Sequence, residues 1–286
     1  MERIFLALFI CLQTACSSDG QAAEDALPIR TDSIAPVINA GGNTIETRFP
    51  VPAGYVRVPA DSTTFTAYLR HFPLLPDGSP VLLYNGRPKA RQDVHCAVLD
   101  IDAGKRNLQQ CADAVMRLRA EYLFAQKRYA AIHFNFSNGF KAEYSRWRQG
   151  ERIRVDGNRV FWVDGGTASG TYKSFRAYLD MVFAYAGSAS LEREMHPVKP
   201  EKLRAGDVWI KGGYPGHAVI IMDVAEQPET GERLFLLAQS YMPAQQIHVL
   251  RNPADGSPWY SSRSLADGLQ TPEWYFEPGQ LRRFSD

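Results

Sequence analysis

The sequence predicts an α+β fold in which helices pack to one side of a largely antiparallel sheet. Three observations predict it: two amphipathic stretches of helical period, a tight-turn signal between them, and a series of short apolar segments from Gly206 to Leu250 bounded by Gly, Pro or charged turns. The 286 residues, 45% hydrophobic and 22% charged, are enough for one sizeable core. Lys plus Arg number 32 against 31 for Asp plus Glu, so no broad positive field draws the protein to nucleic acid.

The first sixteen residues, MERIFLALFICLQTAC, place Arg3 before an apolar run from Ile4 to Leu12 and small residues before Cys16, the pattern of a secretory signal. The run is too short for a membrane-spanning helix. Residues 17–48 are small, polar and without periodicity, and are read as a flexible tether. A single globular domain is expected over 49–286. It opens with a strand at GYVRV, then a helix through TTFTAYLRHF capped by Asp61-Ser62 and stopped by Pro73. PVLLY and CAVLDID read as strands on either side of the turn NGRPK.

The most helical stretch is NLQQCADAVMRLRAEYLFAQKRY. Asn107 is the expected cap, and Cys111, Val115, Leu118 and Tyr122 share one face. IHFNFSNGFKAEYSRW alternates around Asn138-Gly139 and predicts a hairpin. TYKSFRAYLDMVFAYAG is the second main helix, closed by Gly187. GDVWIK, GHAVIIMDVA, RLFLLAQSY and IHVL follow as strands, with Asp223 expected in an exposed turn.

A cysteine near a helix start, a histidine opening an apolar strand and a polar residue on the next strand suit nucleophilic catalysis. The positive end of the helix favours thiolate, and an imidazole can take and return the proton. Gln239 is placed to orient the ring of His217. In KGGYPGHA, Gly213 allows a ligand to approach the main chain, Lys211 offers a cation, and Tyr214 completes a substrate edge. Gln109 or Gln110 can donate to an oxyanion together with the Cys111 backbone N–H. Trp147, Trp162, Trp209 and Trp259 are candidates for a peptide or glycan groove, or for the core.

The order Cys111, Gly206-Asp207-Val208, Gly216-His217, Gln239 resembles the papain-like cell-wall hydrolases, the cysteine, histidine-dependent amidohydrolase/peptidase and NlpC-type families. That resemblance spans Asn107 to Leu250 and implies a papain-like core with the hairpin near Asn138 as an insertion. It also implies a catalytic Cys111, His217 and Gln239 and a substrate among peptidoglycan peptides. Gln109-Gln110 precede the cysteine where those families commonly carry the Asp of Asp-Cys-Ser. QQCADAVMRLRAEYL, KGGYPGHA and LLAQSYMPAQ also look like an uncharacterised bacterial secreted domain of unknown function. Ala15-Cys16 resembles a bacterial lipoprotein cleavage site, which implies lipid at Cys16 and a membrane-anchored envelope protein; cleavage near Ala23 would instead release it.

Three alternatives stand beside this reading. Cys96 and Cys111 form a disulfide, Cys111 is a small core residue, or the fold binds a peptide or glycan without catalysis. The histidines include no His-x-x-x-His pair, and no metal or cofactor is expected; a zinc site from Cys96, Cys111 and His217 is the remote exception. A monomer is expected.

Overall fold

The computed structural model describes residues 38–285. The leader, Cys16 with its expected lipid, and most of the expected tether lie outside the described residues. The ordered body starts before Phe49. Thr44 caps α1 (Ile45–Arg48), Ile45 is fully buried, and Arg48 donates to Gly42 O at 2.7 Å and Leu75 O at 3.2 Å. An apolar side chain in the core and a buried guanidinium on two carbonyls fasten residues the composition assigned to the tether.

β1 (Val56–Arg57) leads to α2 (Phe65–Arg70), whose cap is Thr64 in place of Asp61-Ser62; the Thr64 hydroxyl accepts the Ala67 N–H at 3.2 Å. PVLLY forms no strand. The Val81 N–H goes to the Gln92 side chain at 3.0 Å and the Leu82 N–H to that of Gln246 at 2.9 Å, leaving only isolated bridges. β2 (His95–Val98) is the shorter form of CAVLDID.

The main helix, α3 (Cys111–Ala125), is followed by the expected hairpin of β3 (His133–Asn135) and β4 (Lys141–Glu143), which turns through Gly139 at φ +89°. After α4 (Tyr144–Arg148) comes a second hairpin that the sequence reading omitted, β5 (Glu151–Asp156) with β6 (Arg159–Asp164). Next are α5 (Tyr172–Tyr185), α6 (Ser188–Glu194) and β7 (Met195–Pro197). α5 ends at Tyr185, with Ala186 as its C-cap and the expected Gly187 immediately after it. The remainder is β8 (Val208–Lys211), β9 (His217–Glu226), β10 (Arg233–Gln239), β11 (His248–Leu250), β12 (Trp259–Ser261), β13 (Leu269–Gln270), β14 (Tyr275–Phe276) and β15 (Leu281–Phe284).

The architecture is α+β. Nine strands form one antiparallel sheet in the order β2-β11-β10-β9-β8-β15-β7, with β1 added to β9 and β12 to β10. Ala218, Ile220 and Met222 of β9 join the core that holds Val115 and Leu118 of α3, whereas Val219 and Ile221 face a second core with Trp209, Leu269 and Phe276. Burial on both faces explains why β9 reads as an unbroken apolar run and not as an alternation.

A register shift opposite Leu236/Leu237 then turns Asp223 inward. It is not an exposed turn residue: it is fully buried, and its carboxylate receives Arg57 at 2.7 Å and Arg70 at 2.8 Å. Of the tryptophans considered for a groove, Trp147, Trp209 and Trp259 are buried. No helix among the described residues is long and apolar enough to cross a membrane.

Candidate active site

The N-terminus of α3 and the start of β9 meet at a cavity of about 550 Å³ whose wall includes Gln110, Cys111, Tyr214, His217, Tyr241 and Trp274. Two ties bring the helix start to this end of the sheet: the Asn107 side chain accepts the Ala244 N–H at 2.7 Å, and the Ser240 hydroxyl donates to Gln109 O at 2.9 Å. From within α3, buried Arg117 donates to the Gln109 side chain at 2.9 Å. Asn107, expected to cap the helix, is thus spent on the segment between β10 and β11. Gln110 occupies the cap position, so Cys111 is the first helical residue.

Cys111 is partly exposed and Cys96 buried, and both thiols are free. The Ala218 backbone N–H is directed at the Cys111 thiol, which sets the sulfur against the residue that follows His217. Across the strand end, His217 Nε2 lies 2.8 Å from Gln239 Oε1. The Gln239 amide nitrogen donates to Glu273 Oε2 at 2.8 Å and approaches His248 Nε2 at 3.5 Å, while Lys89 Nζ donates to Glu273 Oε1 at 2.6 Å. The rings of Tyr241, Trp274 and Phe276 enclose the imidazole at centroid distances of 4.9, 5.3 and 5.8 Å.

Burial dominates the acid–base character of the pair. It pushes the Cys111 thiol up to about 11, with the Asp113 carboxylate adding to the rise and the backbone N–H groups opposing it. It pushes His217 down to about 4, against the bond from Gln239. Both shifts favour the uncharged forms, a thiol at Cys111 and a neutral imidazole at His217, and so oppose the thiolate that the helix start favours. Asp113 is itself buried and pushed up to about 8; one of its oxygens accepts the Gln110 N–H at 3.0 Å and the other has no partner.

The predicted site residues divide clearly. Gln110, Cys111, Gly213, Tyr214 and His217 share the cavity wall, and Gln239 stands behind the imidazole. Lys211, although the register partner of His217, contributes nothing to the wall, and Gln109 is buried on Arg117. Gly216 lets the loop fold back tightly: a Cβ there would come within 2.4 Å of Gly213 O and 2.5 Å of the Ser188 hydroxyl. Among the described residues no group of three or more His, Cys, Asp or Glu is arranged to hold a metal ion.

Residues 45–283, from the first residue of α1 into β15, match the family described as Domain of unknown function (4846). The chain belongs to this family. No curated protein and no solved structure matches it. Every side chain of the candidate site lies within the 4846 domain, including Tyr241, Glu273 and Trp274, which the sequence reading did not single out. Asp113 had a local signal, an acidic residue three after the helix cap. Glu273 and Trp274 had none, because their contacts with β9 and β10 are long-range.

Proposed function

We propose that the 4846 domain is a thiol amidohydrolase with Cys111 as nucleophile and His217 as base and acid. The observation that carries this reading is that Cys111, first residue of a fifteen-residue helix, and His217, held by Gln239, line the same cavity. Gln239 also completes the order of elements that resembles papain-like hydrolases. With both groups neutral at rest, the thiol is activated only as it reacts.

The sulfur attacks the amide carbonyl carbon while its proton passes to Nδ1 of His217. A C–S bond forms and the carbonyl oxygen takes the negative charge beside the Cys111 backbone N–H and the Gln110 side chain. Collapse breaks the C–N bond, and His217 delivers the proton to the leaving amine. His217 then deprotonates water, which attacks the thioester; acid and free thiol are released. Tyr214, at 97% exposure, and Gly213 form the substrate edge. The secretory pattern of the first residues supports an exported, envelope-anchored protein, and with it stem peptides of peptidoglycan as the substrate class.

One observation favours a second reading, a binding module without catalysis: burial raises the thiol instead of lowering it. Acylation of the described domain by p-nitrophenyl acetate, followed by mass spectrometry, separates the two. The hydrolase acquires one acetyl group at Cys111, and His217→Ala slows acylation about 10²-fold. Acylation at the rate of an ordinary buried thiol, indifferent to His217, leaves the binding module.

A further inference from the structure

We propose that Glu273, paired with Lys89, is the positioning residue that keeps the base nitrogen of His217 free. For turnover this rests on the thiol-hydrolase reading; for the ring proton it stands on geometry alone. A carboxylate only accepts hydrogen bonds, so the Gln239 atom 2.8 Å from Glu273 Oε2 is the amide nitrogen, and the amide oxygen is the atom facing His217. That oxygen also only accepts. The proton of the neutral imidazole is therefore on Nε2, and Nδ1 keeps its lone pair.

His248 agrees with this direction. Its Nδ1 lies 3.0 Å from Gln246 O and donates to it, which leaves Nε2 to accept the second N–H of Gln239. A flipped Gln239 would put its oxygen against the Glu273 carboxylate and lose that bond, and its nitrogen could bond His217 only in the tautomer with the proton on Nδ1. Lys89 holds the other carboxylate oxygen at 2.6 Å, with side-chain exposures of 7% for Lys89 and 10% for Glu273, so the charges are paired where water is scarce. Four side chains thus point one way, from the ion pair through the amide to the ring.

The turn that carries Glu273 also supplies Trp274, whose ring lies tilted against the same imidazole at a centroid distance of 5.3 Å, so proton placement and ring orientation come from neighbouring residues. Glu273→Gln keeps the volume but gives residue 273 a group able to donate or accept. Gln239 is then free to turn over, and His217 is divided between its two tautomers.

Nitrogen-15 NMR of histidine-labelled protein reads this directly, because protonated and bare ring nitrogens are well separated in shift. The native His217 is expected with Nε2 protonated and Nδ1 bare, and E273Q with both forms. Acylation of Cys111 in E273Q is expected to fall in proportion to the rings that lose a bare Nδ1, about twofold for an even division of tautomers. If E273Q fails to fold, Lys89→Met with Glu273→Met removes both charges without stranding either, and the same division of tautomers is expected. A native ring protonated on Nδ1, or an unchanged tautomer in the folded variant, overturns the proposal. Should Cys111 resist acylation in the native protein, the hydrolase reading fails while the ring-proton result still decides the part played by Glu273.

Discussion

Replacing Asp113 with asparagine removes a buried proton site from the first turn of α3 while leaving an oxygen to accept the Gln110 N–H, now 3.0 Å from the carboxylate. Burial raises the folded-state value of this carboxyl from 3.8 to about 8, so the folded chain holds the proton more tightly than the unfolded one. The resulting stability is complete below the unfolded value and is lost as pH rises through the folded value. At about 1.4 kcal/mol per unit, wild type forfeits about 4 kcal/mol between about pH 5 and about pH 9 through this one group. Asp113→Asn does not forfeit it.

Urea unfolding of both proteins across that range therefore gives a difference that grows in favour of the variant by about 4 kcal/mol toward high pH. The same substitution removes the charge that opposes thiol ionisation, so the Cys111 pKa falls. A stability difference that stays flat across the range would refute the assignment of a buried, proton-retaining Asp113.

Two further outcomes are expected. Asp223→Ala strands Arg57 and Arg70, whose guanidinium groups meet on its carboxylate, and costs about 3–5 kcal/mol in urea unfolding; a loss below about 1 kcal/mol would show that the cluster does not hold β9 to α2. Tyr214→Ala, at a residue 97% exposed, changes stability by less than about 0.5 kcal/mol. It lowers turnover of a peptide amide but not of p-nitrophenyl acetate, and equal losses for both would remove Tyr214 from the substrate edge.

The sequence was most legible where burial and chain pattern coincide. GDVWIK and GHAVIIMDVA read as strands because both faces of β8 and β9 are covered, and the two long helices show their periods plainly. Asn107 and Asp223 were misplaced for one reason: a polar side chain near an element end resembles a cap or turn until its distant partner is known, and those partners are Ala244, Arg57 and Arg70. PVLLY has the composition of a strand, but glutamine side chains take the N–H groups of Val81 and Leu82, and those of Leu83 and Tyr84 go to turn and loop carbonyls. The β5–β6 hairpin was readable, since Asp156-Gly157 marks its turn. At the site, the order of Cys111, His217 and Gln239 was open to inspection. Their supports were not, because Glu273 and Trp274 belong to a turn whose position is set by packing across the second core.

The turn between β13 and β14 has a consequence for how the protein is made. A ribosome releases Cys111 and its helix well before His217, and Glu273 and Trp274 later still. β15, which inserts between β8 and β7, comes after all of them. A nascent chain halted before residue 269 carries the thiol and the imidazole without the groups that orient the ring, and its sheet lacks an interior strand. The support of the His217 ring is therefore complete only once residues 269–284 have emerged and the sheet can close.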